Sequence, residues 1–446
     1  MEDDKMLKMD RSYKAEVDAL LPIAENMAKS GRLQDALNQL LGLEKQTRNA
    51  NDVESTSRLL VVLVRLCYEA GDWKLVNDYV NLLSKKHGQL KKAIGAMVGE
   101  AMTFLDHAPS EEIKLELIDT LRAVTEGKMY VERERARLTR MLAKIKEDQG
   151  DVAAAADVLQ ELQVETFGSM DKREKTDFIL EQIRLNLAKK DFIRAGIVSH
   201  KVSTRFFKDP EQQDLKLRYY HLMVEHALHE DQYLDACKYY REIYDTPSVQ
   251  ADESQWREAL QNIVSYVVLA SYSNEQADLI HRVAADPRLG KLPLYRQLLK
   301  HFTTNELMRW TRILEVYGAT LSQTPVFHAD TPAGTKRRED LHKRVIEHNL
   351  RVVSKYYTRI TAQRLTQLLD LTPAQVEEHL SALVVSKTVY AKIDRPAGIV
   401  NFQAPQDGNE QLDQWAANVN SLLSLVDKTT HLISKEEMVH KITKIM

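Results

Sequence analysis

The sequence predicts a mainly α protein: a right-handed solenoid of TPR-like helical hairpins, then a smaller module of three helices and a β-hairpin, then a helical tail. Three observations carry this. Breakers are scarce, with 15 Gly and 11 Pro in 446 residues, while Leu, Ala, Glu, Lys and Gln, which lose little side-chain freedom in a helix, abound. A turn signature recurs at a fixed interval along the first half. Beyond Lys336 the hairpins give way to three helices followed by alternation with a period of two.

The repeat is read from five segments: Ser30-Gly31-Arg32-Leu33, Ala70-Gly71-Asp72-Trp73, Gln149-Gly150-Asp151-Val152, Lys189-Lys190-Asp191-Phe192 and His229-Glu230-Asp231-Gln232-Tyr233. Each follows one amphipathic stretch and precedes another. Anchored at 31, 71, 150, 190 and 230, they recur about every 40 residues, with one interval of about twice that. The missing anchor falls near Glu111, where Pro109-Ser110-Glu111-Glu112-Ile113 reads as a helix start. Gly31, Gly71 and Gly150 can take the left-handed conformation that ends a helix. The Asp that follows in four segments can cap the next helix. Leu59, Leu60, Leu63, Val64 and Cys67, like Phe178, Ile179, Ile183 and Leu187, keep helical spacing. One hairpin cannot bury its apolar face alone, so neighbours stack. We assign the solenoid to residues 1–225 and a further helical part to 226–335, with a breaker-rich loop from Ser322 to Gly334.

Residues 336–403 then follow the order of a winged helix. Leu341 to Tyr357 reads as a helix. Thr361 can cap a second one carrying Leu365, Leu368 and Leu369. Thr372-Pro373-Ala374-Gln375 combines a capping-box spacing with Pro at the first helical position and opens a third, with Val376, Leu380, Leu383 and Val384. Val389 to Ile393 and Ile399 to Phe402 form a two-stranded wing around Asp394-Arg395-Pro396-Ala397-Gly398. Its open edge invites a neighbouring chain, so Val389, Tyr390, Ala391, Ile393, Ile399 and Phe402 are candidate partner-binding residues.

The tail, 409–446, carries Leu412, Trp415, Val419, Leu422, Val426 and Ile433 at alternating steps of three and four, with a polar gap at Thr429. That is a coiled-coil-like seam. Ser434-Lys435-Glu436-Glu437 resembles a capping box, so a second helix with Met438, Ile442 and Ile445 is expected after it. A seam beyond the last domain needs another helix to cover it, either one of this chain packed back on it or, the favoured reading, one of a partner.

No chemistry stands out. The two cysteines, Cys67 and Cys237, can build neither a disulfide framework nor a Cys-based zinc site. His-Glu-x-x-His, His-x-His, phosphate-loop, G-x-G-x-x-G and G-x-S-x-G motifs are all missing. We therefore expect no catalytic residue, no metal and no cofactor. No apolar run is long enough to span a membrane, and Met1 to Asp10 lacks the apolar core of a signal peptide, so a cytoplasmic and nuclear protein is expected. The net charge of −3 recruits no nucleic acid. The third winged-helix helix, Pro373 to Ser386, holds Glu377 and Glu378 and no Lys or Arg, a face that phosphate repels. Lys336 to Arg364 does hold nine Lys/Arg against three Asp/Glu, led by Lys336, Arg337 and Arg338. It reads as a solvated helix face, with a weak RNA contact as the alternative.

Five segments carry a family resemblance: Leu82 to Leu90 (LLSKKHGQL), Glu161 to Met170 (ELQVETFGSM), Phe302 to Trp310 (FTTNELMRW), Arg344 to Arg351 (RVIEHNLR) and Arg395 to Phe402 (RPAGIVNF). The chain resembles the PCI family, whose members build the proteasome lid, the COP9 signalosome and translation initiation factor three. It is most similar to the lid subunits of the 26S proteasome regulatory particle. The resemblance implies a PCI domain over 226–403 and a subunit without activity of its own, scaffolding lid assembly for ubiquitin-dependent degradation. It implies a hetero-oligomer in which winged helices associate side by side and C-terminal helices form a bundle. The implied partners are other PCI lid subunits, the MPN-type deubiquitinase subunit pair, the ATPase ring and the core particle. A COP9 signalosome subunit and an RNA-binding PCI adaptor of a translation or export complex are the alternatives.

Overall fold

Glycines at three of the expected turns are left-handed: Gly31, Gly71 and Gly150 have φ of 82°, 75° and 88°. In the computed structural model, which describes residues 12–328, 330–403 and 408–440, a capping aspartate follows two of them. The carboxylates of Asp72 and Asp151 accept from the backbone N–H of Leu75 at 3.1 Å and Ala154 at 2.9 Å. Asp191 does the same for Arg194 at 3.2 Å. Its turn is left-handed at Lys190, φ 65°, where a side chain costs about 1–2 kcal/mol that glycine would not. The fifth turn is left-handed at Asp231 rather than Glu230. At the missing anchor Ser110 caps a helix, its hydroxyl accepting from Ile113 N–H.

The turns separate α1 (Lys14–Lys29) from α2 (Leu33–Asn49), α3 (Val53–Glu69) from α4 (Trp73–Lys85), α5 (Lys91–Thr103) from α6 (Glu111–Thr125), and α7 (Glu132–Asp148) from α8 (Val152–Gln160). Next come α9 (Lys172–Ala188) and α10 (Phe192–Ser199), α11 (Gln213–His229) and α12 (Tyr233–Tyr244), and the short α13 (Pro247–Ala251). The chain divides into two compact units, Met1–Ala259 and Leu260–Met446. In the first, α1 packs on α2 and α3, α3 on α5, α7 on α8, and α9 on both α10 and α11. Leu59, Leu60, Leu63, Val64 and Cys67 are wholly buried.

Ion pairs join equivalent helices of successive hairpins. Arg58 meets Asp18 at 2.7 Å, and Arg65 meets Glu100, 35 residues on, at 2.6 Å. The network is densest across α7, α9 and α11. Arg140 meets Asp177 at 2.5 Å, Arg218 meets Asp177 at 2.8 Å and also Glu181, and Arg184 meets Glu181 at 2.5 Å and Glu147 at 2.6 Å. Arg184 and Glu147 are 37 residues apart, and Arg218 and Asp177 are 41 apart. The helical period of the repeat is thus written in charge as well as in turns.

A long helix, α14 (Glu253–Leu269), leads into the second unit, with α15 (Asn274–Ala284), α16 (Pro293–Thr303), α17 (Trp310–Ser322) and α18 (Pro332–Tyr356). The loop expected to reach Gly334 ends earlier. Thr331 accepts from Gly334 N–H at 3.1 Å and Pro332 takes the first turn, so α18 begins well before Leu341. Its far end feeds an unexpected strand, β1 (Arg359–Thr361). Thr361 then caps α19 (Ala362–Leu369), and Thr372 with Gln375 forms the expected capping box of α20 (Pro373–Val385).

The wing differs from a plain hairpin. β2 spans Lys392–Asp394 and β3 spans Ile399–Asn401. The strand expected from Val389 starts later: the Val389 N–H donates to the Leu383 carbonyl at 3.3 Å, at the end of α20, while its side chain joins the core. The antiparallel sheet has the order β1-β3-β2, with Ile360 and Ile393 both opposite Val400. β3 is therefore central and has no open edge. Under the sheet, Ile346, Leu350, Leu365, Leu380 and Val400 form one core. The last element, α21 (Gly408–Val439), is a single helix. It runs through Ser434 without a break, because nothing before that serine leaves the helix and no Gly or Pro interrupts it. Ile442 and Ile445 lie outside the described residues.

Candidate partner-binding surfaces

The six wing residues separate by burial. Val389 and Phe402 belong to the module's own core, with Ala391 and Ile393 packed against it. Ile399 is half-buried. Tyr390 alone is exposed, at 42%. What the wing offers a neighbour is the ring of Tyr390 and the outer side of β2, which carries no further strand among the described residues. The turn between β2 and β3 is fastened to α20, where Arg395 Nε donates to Glu377 at 2.9 Å. One of the two glutamates that oppose phosphate is thus a structural partner, and Glu378 remains exposed.

Much of the basic stretch is also structural. Arg337 donates to the Val326 carbonyl at 3.1 Å, and Arg338 to Ser322 at 3.0 Å and to the Phe327 carbonyl at 3.3 Å. Together they fasten the start of α18 to the turn before it. Arg344 pairs with Glu347 at 2.6 Å, and Arg351 lies 3.7 Å over the ring of Tyr272.

The tail is the larger apolar surface. No α21 side chain is buried. The expected seam of Leu412, Trp415, Val419, Leu422, Val426 and Ile433 stands 38% to 68% exposed, and Met438, expected on a second helix, 78%. Leu423, Leu425, Leu432 and Val439, which the 3–4 spacing passed over, are exposed as well. In the heptad that places Leu412, Val419, Val426 and Ile433 at a, Leu425, Leu432 and Val439 fall at g. The C-terminal half therefore presents a face wider than a two-stranded seam. The signal was legible: a second heptad series runs one residue before the first.

The described residues contain no group of three or more His, Cys, Asp or Glu side chains placed to hold a metal, and no helix long and apolar enough to cross a membrane. Cys67 and Cys237 are buried and form no disulfide, and burial pushes both thiols up to about 12. His348 is 4% exposed. Burial first, and the Arg351 guanidinium second, hold it down at about 4, although its ring nitrogen lies 3.3 Å from the Glu306 carbonyl.

These surfaces coincide with known families. Residues 35–252 match the PSMD12/CSN4 N-terminal family, 312–404 the PCI domain, and 409–441 the 26S proteasome regulatory subunit RPN5 C-terminal domain. The 26S proteasome non-ATPase regulatory subunit 12 of Dictyostelium discoideum is 46% identical over 435 residues, 98% of this chain and 96% of that protein. The 26S proteasome regulatory subunit RPN5 of Saccharomyces cerevisiae is 43% identical over 442 residues, 99% of each. The regulatory subunit rpn501 of Schizosaccharomyces pombe is 46% identical over 406 residues, 91% of this chain and 92% of its own. With a solenoid, a PCI module and a tail that each find their counterpart, and relatives this similar from end to end, the chain belongs to the PCI family of 26S proteasome regulatory subunits named RPN5 and non-ATPase regulatory subunit 12.

Proposed function

We propose that the chain is a non-catalytic structural subunit of the 26S proteasome regulatory-particle lid, working in the cytoplasm and nucleus. The observation that carries the assembly role is α21: 32 residues of helix with an apolar face and no buried side chain. Such a face is stable in water only when another surface covers it, at about 25 cal/mol per Å² of apolar area removed from solvent, less the cost of association. The winged helix supplies a second contact through Tyr390 and the outer side of β2. Other PCI lid subunits are the partners of both, and the repeat arm reaches the MPN-type deubiquitinase pair, the ATPase ring or the core particle. We divide the work accordingly: arm over 1–225, PCI module over 226–403, tail over 409–446. The relatives carry proteasome names, so the signalosome and RNA-adaptor readings are not taken up.

Deleting Leu412 to Met446 tests the tail. The truncated chain should keep its circular dichroism per residue outside α21 and its melting temperature, yet fail to co-elute with the other lid subunits in size exclusion. Full co-elution of the truncated chain would sink the proposal.

A further inference from the structure

Within the second unit, α15, α16, α18 and the segment leading to β2 enclose a groove of about 380 Å³. Ile280, Phe302, Val352 and Phe402 give it apolar walls. Arg351 and Lys355 give it charge. The Arg351 guanidinium stacks on Tyr272, with its centre 3.7 Å from the ring centroid. Such stacking holds the plane of the fork in place for two parallel hydrogen bonds. Its Nε is enclosed and has no hydrogen-bond partner, and among the described residues no carboxylate lies within ion-pair distance of the guanidinium, which Tyr272 and, from farther off, Glu347 favour electrostatically. The carboxylate nearest along the helix, Glu347, is taken by Arg344 at 2.6 Å. Lys355, one helical turn on, is exposed, and its ammonium donates to the side-chain oxygen of Asn305 at 2.9 Å rather than to an acid. His348 shares the groove and, held at about 4 by burial, is neutral at physiological pH. It adds a polar ring without adding charge.

A partly desolvated cation whose nearest carboxylate is engaged by another arginine is a cost to the fold, and an arriving carboxylate would offset it. We propose that this groove binds an acidic peptide segment of a neighbouring polypeptide, one carboxylate taken by Arg351 and Lys355 and an adjoining apolar side chain seated against Ile280, Phe302 and Val352. Apolar walls beside a fixed guanidinium suit a carboxylate next to a Leu or Phe side chain, whereas a nucleic-acid backbone would call for a run of open cations. The proposal goes beyond the assembly reading. It uses neither the tail nor the outer side of β2, although Tyr390 lines the rim of the groove and is shared with the wing contact.

The probe is a fluorescein-labelled heptapeptide alternating Glu and Leu, titrated against the full chain by anisotropy at low salt. Controls are the same peptide with Gln for Glu, and a labelled oligouridylate. Two variants report on the site: Lys355→Glu, an exposed change that leaves the core alone, and Arg351→Met, which keeps the stem. Thermal melts check that each folds. The expected result is saturable binding of the Glu peptide, weakened about tenfold or more by either variant, as for loss of a charge-assisted hydrogen bond. The Gln peptide should bind at least about tenfold less tightly, by the same arithmetic. A chain lacking Leu412 to Met446 should bind the peptide unchanged, which separates this site from the tail. No binding of the Glu peptide, equal binding of the Gln peptide, insensitivity to a folded Lys355→Glu chain, or preferential binding of oligouridylate would each overturn the proposal.

Discussion

At the scale of single residues, burial and pairing decide what the ionisable side chains do. Cys67 and Cys237 are inert because burial disfavours the thiolate. Glu44, wholly buried, receives Arg48, Lys86 and Gln89, and nothing in its local sequence announces that. His348 has a consequence for stability. Its folded value of about 4 lies below the ordinary 6.5, so the unfolded chain binds a proton that the folded chain refuses. The contribution is fully present above about pH 6.5 and is lost as pH falls toward 4, at up to about 1.4 kcal/mol per unit. We expect the urea midpoint of His348→Asn to depend less on pH between 7 and 4.5 than that of the parent chain. Parallel curves would show that another group carries the dependence.

At the scale of elements, local signals were legible wherever one residue decides the backbone. Gly31, Gly71 and Gly150 end helices because they alone take the left-handed turn without penalty, and Thr361 and Thr372 open helices because their side chains satisfy the first N–H groups. Long-range pairing was not legible. β1 is three residues, Arg359–Thr361, and exists only because β3 lies alongside it. The tail was half legible. Its a and d positions stand out in the sequence, its g series is hidden beside them, and Ser434-Lys435-Glu436-Glu437 imitates a helix start although the chain never leaves the helix there. If the wide face is used, Leu425→Ser with Leu432→Ser should weaken lid association by about 2 kcal/mol each, the value of a buried leucine. A titration monitored by size exclusion measures it. If the pair of changes is silent while Leu422→Ser is damaging, only the narrow seam is covered.

At the scale of the whole molecule, the repeat was recovered because its turns fall at a constant interval. The charge network that follows the same interval went unseen, since mixed-charge helix faces look alike in one dimension. Glu147, Arg184, Glu181, Arg218, Asp177 and Arg140 form one chain of contacts over α7, α9 and α11. Carboxylates held on two sides by guanidinium groups couple neighbouring hairpins in a way that an isolated pair does not. Glu181 accordingly sits below the ordinary carboxylate range: burial alone would raise it, and Arg184, Arg218 and Arg140 outweigh that. Arg184→Met should lower the stability of the arm by about 1–2 kcal/mol. Arg58→Met, which breaks one exposed pair, should cost about 0–1 kcal/mol. Equal urea midpoints for the two variants would mean that the network adds nothing beyond its separate pairs.

The tail sets the solution behaviour of a copy that has not found its complex. Such a copy is a water-compatible body with one adhesive rod at its end, and the rod differs little from the greasy stretches by which chaperones recognise unfinished chains. Exposed apolar side chains occur singly elsewhere, as at Met129, Ile193 and Val385, but among the described residues α21 gathers the most of them on one element. Surplus copies would pair tail to tail or be held by chaperones until a vacancy in the complex opens. If the tail is what admits the subunit to its complex, as proposed, the same helix also marks a copy as out of place.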